Sequence, residues 1–433
     1  MKKIFAVLLV IVMAVSLVAG CGSSEKQSDG NKEQKEITIL CHSSWKTAGI
    51  EAAAKYAEES CGVKIIFEEV PEGDEGSQLI YTKIASDEVP DILYWQPACW
   101  ANTYMGNDKF EDLSDLTDWS QDYDTDALAL PTFTVDNRMI GAPFGSCVVY
   151  GVAYNKSVFE KNNINIPQTK EDWWNTCETL KTNGITPIYL SAGDPWTLQL
   201  YPLGAFGQEY NANEKLITQM DNNEIGYAGL TSYLLPSLKD MQDMVNKGWV
   251  QDTYMSDTYA DAQMALIDGE CAMYPMATYI QREFNNLGVT DEQIDNIGFF
   301  VTPEAKDGGA YTAPNCLYVP KQGKNVDLAK KVVAALVSRD ANEAFFKTEE
   351  GIPFVKNLNC GLSGVMKDAQ AMLNDNNMKM AVAPETITKY TKVDFELLIQ
   401  DMLAGNISAE QVLETLDEST AKQAKEAGDP NWK

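Results

Sequence analysis

Hydrophobic and polar positions fall into three regimes along this chain. From Ile4 to Val18 nearly every residue is apolar, from Gly22 to Glu36 none is bulky and apolar, and from Ile37 onward short apolar runs alternate with stretches of helical spacing. In the third regime Ile37–Leu40 predicts a strand, Ala48–Ser60 a helix, Val63–Glu68 a strand, Gln78–Ala85 a helix and Asp91–Trp95 a third strand. Pro90 blocks continuation of the preceding helix. This βαβαβ order predicts a parallel sheet covered by helices, an α/β fold. The strand pattern restarts at Val148–Tyr154, and Thr186–Leu190, Cys271–Tyr274 and Gly298–Val301 read as further strands between amphipathic helices near 170–183, 231–247 and 258–268. After a strand at Leu317–Val319 the pattern is helical near 326–338, 340–347, 365–374, 385–403 and 408–426, so the last helices are expected to return and pack on both halves.

The first regime is a targeting signal. Lys2 and Lys3 precede an apolar run of about 15 residues, which suits a signal-peptide core and is too short to span a bilayer. Leu17-Val18-Ala19-Gly20-Cys21 resembles the lipobox of bacterial lipoprotein signals. The resemblance implies removal of residues 1–20 and a lipid on the Cys21 thiol, tying the protein to the outer face of the cytoplasmic membrane. Residues 21–36 then form a flexible tether, since they have too little apolar surface to offset the entropy of ordering.

At 433 residues the chain exceeds the usual size of one core, so two domains are expected. The formal charge is −29, and removing residues 1–20 takes Lys2 and Lys3 with it and makes it more negative. Such a surface excludes nucleic acid and anionic lipid as partners. Eight cysteines remain besides Cys21, scattered, without a C-x-x-C pair or zinc-like spacing, and are expected as buried free thiols. His42 is the single histidine, which excludes multi-histidine metal sites and leaves any Ser-His-Asp or Cys-His scheme resting on one residue at a strand end. No Walker A, G-x-S-x-G or G-x-G-x-x-G string occurs. Asp122, Asp124 and Asp126 imitate the opening of a calcium loop, but Ala127 and Phe133 stand where such a loop needs Gly and Glu. No metal and no cofactor are expected.

Aromatic residues gather at predicted turns and strand ends: Trp45, Trp95, Trp100, Trp196 and Tyr279, flanked by Ser43, Ser44, Gln96, Thr197 and Gln199. Ligands of open α/β sheets sit beyond the carboxyl ends of the strands. A pyranose offers C–H groups on one face and hydroxyls around its rim, so aromatic faces bordered by neutral polar groups suit it.

Five stretches then resemble the family 1 extracellular solute-binding proteins of ABC importers: Ile84–Leu93, Ile140–Phe144 with Tyr150–Lys156, Lys181–Pro187 with Gly193–Trp196, Asp268–Met273, and Met402–Leu413. The resemblance implies a two-lobe periplasmic-binding-protein-like fold of type II with several interlobe crossings. It divides the chain into lobe 1 at 37–147, continued by 315–355, and lobe 2 at 148–314, continued by 356–433, with crossings near Val148–Tyr154, Asn315–Val319 and Phe354–Leu362. It places Ser44, Trp45, Trp95 and Gln96 on one wall of the ligand site, Trp196, Met276 and Tyr279 on the other, and Asn315 near a crossing. The family often has Gly-x-Trp after its "AM" segment; here Pro275-Met276-Ala277-Thr278-Tyr279 stands instead, with Tyr279 as the substitute ring. The implied protein is no enzyme but a monomeric receptor that delivers a carbohydrate to the permease of an ABC importer. A neutral oligosaccharide is expected, because Lys46 is the one basic residue beside an expected contact. An exported carbohydrate-active enzyme, and a receptor for amino acids, peptides or polyamines, are the alternatives.

Overall fold

A computed structural model of the chain describes residues 35–432 apart from 72, 87, 303–307, 359, 376–378, 391 and 393. The signal, Cys21 and all but the last two residues of the expected tether lie outside the described residues. Two hydrophobic cores organise the rest, each built around one sheet.

The first sheet has the order Val63–Val70, Lys35–His42, Ile92–Trp95, Cys316–Tyr318, Ala142–Pro143. Its first three strands are parallel, as the early βαβαβ pattern predicts. Cys316–Tyr318 arrives from late in the chain and pairs antiparallel with Ile92–Trp95, Cys316 opposite Trp95. The helix Ala48–Cys61 starts at Thr47, whose hydroxyl accepts the Ile50 N–H, and ends at Gly62 with φ +67°. Its N-terminal turn lies tight against the helix Arg339–Thr348: a Cβ on Gly49 would fall 2.9 Å from atoms of Phe345 and Glu349.

The second sheet is centred on Ser146–Asn155, which pairs with Cys271–Ala277, Ile297–Phe300, Gly308–Thr312 and Ile352–Pro353, all antiparallel. Lys379–Val382 pairs parallel with Gly308–Thr312, and Thr186–Ile188 pairs parallel with Cys271–Ala277. Helices Lys170–Thr182, Tyr259–Asp268 and Ala409–Glu426 each begin with a capping box, at Thr169/Asp172, Thr258/Asp261 and Ser408/Gln411. The helix Leu200–Ala212 is buried on nearly all sides, so it shows no amphipathic stripe.

The chain passes from the first core to the second between Phe144 and Cys147, and returns between Ala310 and Cys316. Around Ile352–Val365 it touches both, with Ile352 and Val365 in the second core and Val355 in the first. The expected helix at 385–403 is shorter. Pro384–Thr386 is a single 3-10 turn, Asp394 sits at φ +57°, and the helix runs from Phe395 to Leu403. The freed segment straps across both cores. Tyr150 donates to Glu385 Oε1 at 2.8 Å from the second sheet, while Trp100 Nε1 donates to the Glu385 carbonyl at 3.1 Å and Thr103 to the Lys389 carbonyl at 3.1 Å from the helix Ala98–Met105.

Asp429, from beyond the last helix, pins the strap by accepting from Lys389 Nζ at 2.6 Å and from the Tyr390 hydroxyl at 2.7 Å. These two donors hold the Asp429 carboxyl down at about 2 from an ordinary 3.8. The folded chain therefore favours the charged form. The resulting stabilisation is present above about pH 4 and is lost as pH falls toward 2. Asp429→Asn is expected to flatten the stability profile in that window only. Denaturant titrations of both proteins from pH 5 to 2 check this, and parallel profiles would show that the pair contributes nothing.

Six of the eight described cysteines are buried, and all eight are free thiols. Burial pushes the Cys147 and Cys316 thiols up to about 12. His42 is buried, with Nδ1 donating to the Pro71 carbonyl at 2.8 Å. Asp122 pairs with Arg339 at 2.7 Å, and Asp124 caps the turn Thr125–Leu128, so both carboxylates have structural roles. No helix among the described residues is long and apolar enough to cross a membrane.

Candidate functional site

A cavity of about 340 Å³ opens between the two cores. One wall comes from the ends of the first sheet. The 3-10 turn Ser43–Trp45 follows the strand Lys35–His42 and carries Trp45 into the cavity, its ring 5.0 Å from His42 and edge-on to Tyr94 at 5.4 Å. Tyr94 and Gln96 line the same wall. The Tyr94 hydroxyl donates to the Phe144 carbonyl at 3.3 Å, and burial pushes its phenol up, so it stays a neutral donor.

The opposite wall belongs to the second core. After the strand Thr186–Ile188 the chain makes a tight turn at Gly193, where a Cβ would come within 2.6 Å of the Ser256 carbonyl. That close approach admits glycine alone and lets Gly193 N–H donate to the Asp257 carbonyl at 2.9 Å. The 3-10 helix Pro195–Gln199 then presents Trp196. Asp194 fixes its start by accepting the Tyr259 N–H at 2.8 Å, and the Tyr259 ring stands edge-on to the indole at 5.0 Å. Behind it Thr197, Ser191 and Tyr274 form a hydroxyl chain, with contacts of 2.9 and 2.6 Å. Tyr279, two residues past the strand Cys271–Ala277, tilts toward Trp196 at 6.2 Å. Burial raises its phenol too.

Of the residues expected at the site, Trp45, Gln96, Trp196, Tyr279 and Asn315 line this cavity, and Ser44 lines a second cavity that adjoins it. Trp95 and Met276 do not. Trp95 is 2% exposed and turned to the other face of its strand, edge-on to Tyr81 at 5.6 Å and Tyr104 at 6.2 Å. Successive strand residues face opposite ways, so Tyr94 on the cleft side puts Trp95 in the core. Met276 is fully buried in the middle of the second sheet, opposite Gly151. Trp100, in the helix Ala98–Met105, is not in the cavity wall and donates its indole N–H to the strap at Glu385. Sequence reasoning missed Tyr94, Arg282, Glu349 and Glu350, all in the cavity wall. Arg282 carried a signal: it follows Tyr279 by three residues across a helix start, which puts both on one face. The carboxylates have protein partners. Glu349 accepts the Gly49 N–H at 3.0 Å, and Glu350 accepts from Gln281 and Ser363.

Two sheets, each with its own core, joined by repeated chain crossings and facing each other across an aromatic cleft, make a two-lobe binding protein of type II. The chain matches the bacterial extracellular solute-binding protein family over residues 51–374 and belongs to that family. It is 22% identical over 368 residues to the multiple sugar-binding protein of Streptococcus mutans, across 80% of this chain and 81% of that one. It is 24% identical over 359 residues to the arabinooligosaccharide-binding protein of Bacillus subtilis, across 77% and 76% of the two chains. Among solved structures, a chitin oligosaccharide binding protein superposes with a TM-score of 0.74 at 18% identity, covering 90% of this chain and 100% of that one.

Proposed function

We propose that this chain is the receptor of an ABC importer, capturing a carbohydrate, an oligosaccharide by preference, between its lobes. The carrying observation is the pair of aromatic walls: Trp45 on one core and Trp196 with Tyr279 on the other, half-buried around one cavity with Gln96 and Asn315 as neutral polar neighbours. The relatives named for sugars support the same reading. Ligand touching both walls stabilises the closed lobes, and the open and closed forms need differ by only a few kcal/mol for it to shift the population. The lobes we assign are 37–147 with 315–355, and 148–314 with 356–433. No bond of the sugar is broken, and Glu349 and Glu350 serve as structural acceptors in the cleft. A thermal-shift screen across neutral mono- and oligosaccharides, amino acids and polyamines tests the reading, because ligand raises stability by mass action. Shifts with sugars alone, and the sugar recovered intact after incubation, are expected. A shift with an amine alone, or cleaved sugar, sinks it.

The same reading assigns Cys21 as the lipid-modified first residue of the mature protein, supported by Leu17–Cys21 and the polar stretch that follows. Mass spectrometry of the native N-terminus is expected to find a diacylglyceryl group on Cys21; an unmodified chain retaining Met1 would refute the anchor.

A further inference from the structure

The aromatic cavity is not the whole cleft. Thr47, Arg282, Glu349 and Glu350 line both it and an adjoining second compartment of about 880 Å³. The first alone sits at the lower end of the roughly 300–1,000 Å³ typical of small-molecule sites, and adding the second more than triples the space. The two differ in chemistry. The second has no aromatic ring in its wall, and Ile294 is its single bulky apolar residue; the rest are small, hydroxyl or charged side chains. Nothing there can stack on a sugar face, so a ligand unit in it is held through its hydroxyls.

Arg282 stands where the compartments meet. It enters from the first turn of the helix Ile280–Asn286, directly after the stacking ring of Tyr279, so the same chain segment supplies the platform and the cation. Glu283 orients the guanidinium by accepting from Nε at 3.3 Å and Nη2 at 3.2 Å on one carboxylate oxygen. From the other core, Glu349 reaches the junction while anchored by the Gly49 N–H at 3.0 Å. A guanidinium only donates and a carboxylate only accepts, whereas a sugar hydroxyl does both. A unit lying between these two groups satisfies each of them and bridges the lobes. A lone pyranose stacked between the aromatic walls does not need the junction; a chain of two or more units crosses it.

We propose that the cleft binds its ligand in two compartments, a stacking one and a hydroxyl-reading one, and that Arg282 at their junction is the residue that makes affinity depend on ligand length. This rests on the carbohydrate reading above. More carboxylates than cations surround the second compartment, so the chain entering it is neutral or amino-bearing and not a uronate.

The test is calorimetry of the wild type, Arg282→Met and Ala48→Trp. The probe is whichever neutral series, malto-, xylo- or raffinose-type, gives the largest thermal shift, titrated at one to four units. Ala48 is exposed on the rim of the second compartment, so the indole obstructs that space without entering either core. Wild-type affinity is expected to rise at least tenfold from one unit to three. Arg282→Met is expected to lose at least tenfold more affinity for three units than for one, and Ala48→Trp to flatten the length dependence in the same way. Length-independent binding by the wild type, an equal loss at every length in Arg282→Met, or tighter binding of a uronate-ended chain overturns this inference and leaves the carbohydrate reading standing. Failure to bind any sugar overturns both.

Discussion

Trp196→Ala is expected to weaken sugar binding by about 1–3 kcal/mol, roughly 5- to 150-fold in Kd, with little change in folding stability. The indole is half-buried and faces the cavity, and everything around it holds it there. Asp194 ties the start of its 3-10 turn to the helix Tyr259–Asp268, Tyr259 packs edge-on at 5.0 Å, and Tyr279 borders it at 6.2 Å. A ring held so firmly loses little entropy when ligand stacks on it, so most of its contact surface counts toward affinity. Trp196→Phe, which keeps a smaller face, is expected to fall between wild type and alanine, and Tyr279→Ala to lose less than Trp196→Ala. Calorimetry on folded protein is the measurement. Wild-type affinity in both alanine variants would make these rings packing residues and move the site elsewhere.

Trp95→Ala is expected to do the opposite: lose about 3–5 kcal/mol of folding stability while the folded fraction binds ligand as before. Its indole is 2% exposed inside the first core, against Tyr81 and Tyr104, so alanine leaves a cavity that the surrounding helices cannot fill. The indole N–H is buried and has no hydrogen-bond partner among the described residues. Trp95→Phe removes that unsatisfied donor, worth about 1–3 kcal/mol, along with part of the ring, and is expected to cost much less than alanine. Urea melts of the two variants beside ligand titrations separate the roles. A large affinity loss with unchanged stability would return Trp95 to the site.

These two tryptophans show where sequence reading succeeds and where it stops. The parallel strands of the first sheet were legible because amphipathic helices separate short apolar runs and Pro90 marks a boundary. Which face each residue takes was not, because Ile92-Leu93-Tyr94-Trp95 is apolar on both faces and has no alternation to read. The helix Leu200–Ala212 escaped for a related reason: surrounded by core, with Pro202, Gly204 and Gly207 in its sequence, it has neither a polar face nor helical propensity to announce it. The pattern from 385 onward reads as helical, but tertiary hydrogen bonds joining Glu385 and Lys389 to Trp100, Thr103, Tyr150 and Asp221 compete for the start of that stretch and hold it out of the helix. At the site, aromatic residues in turns were visible as candidates, whereas Arg282, Glu349 and Glu350 come together only through contacts between distant segments.

The weaving of the chain between the two cores also governs how the protein is made. Cys316–Tyr318 must slot between Ile92–Trp95 and Ala142–Pro143 before the first sheet is whole, and Lys379–Val382 completes the edge of the second. A polypeptide emerging from its N-terminus thus offers no finished folding unit for most of its length. Its early strands wait for partners more than two hundred residues away, a loop closure that slows folding far more than it weakens the final state. With residues 1–20 as the export signal proposed above, that delay would be an asset, because a chain whose first sheet lacks its late strand would still be unfolded enough to thread across a membrane.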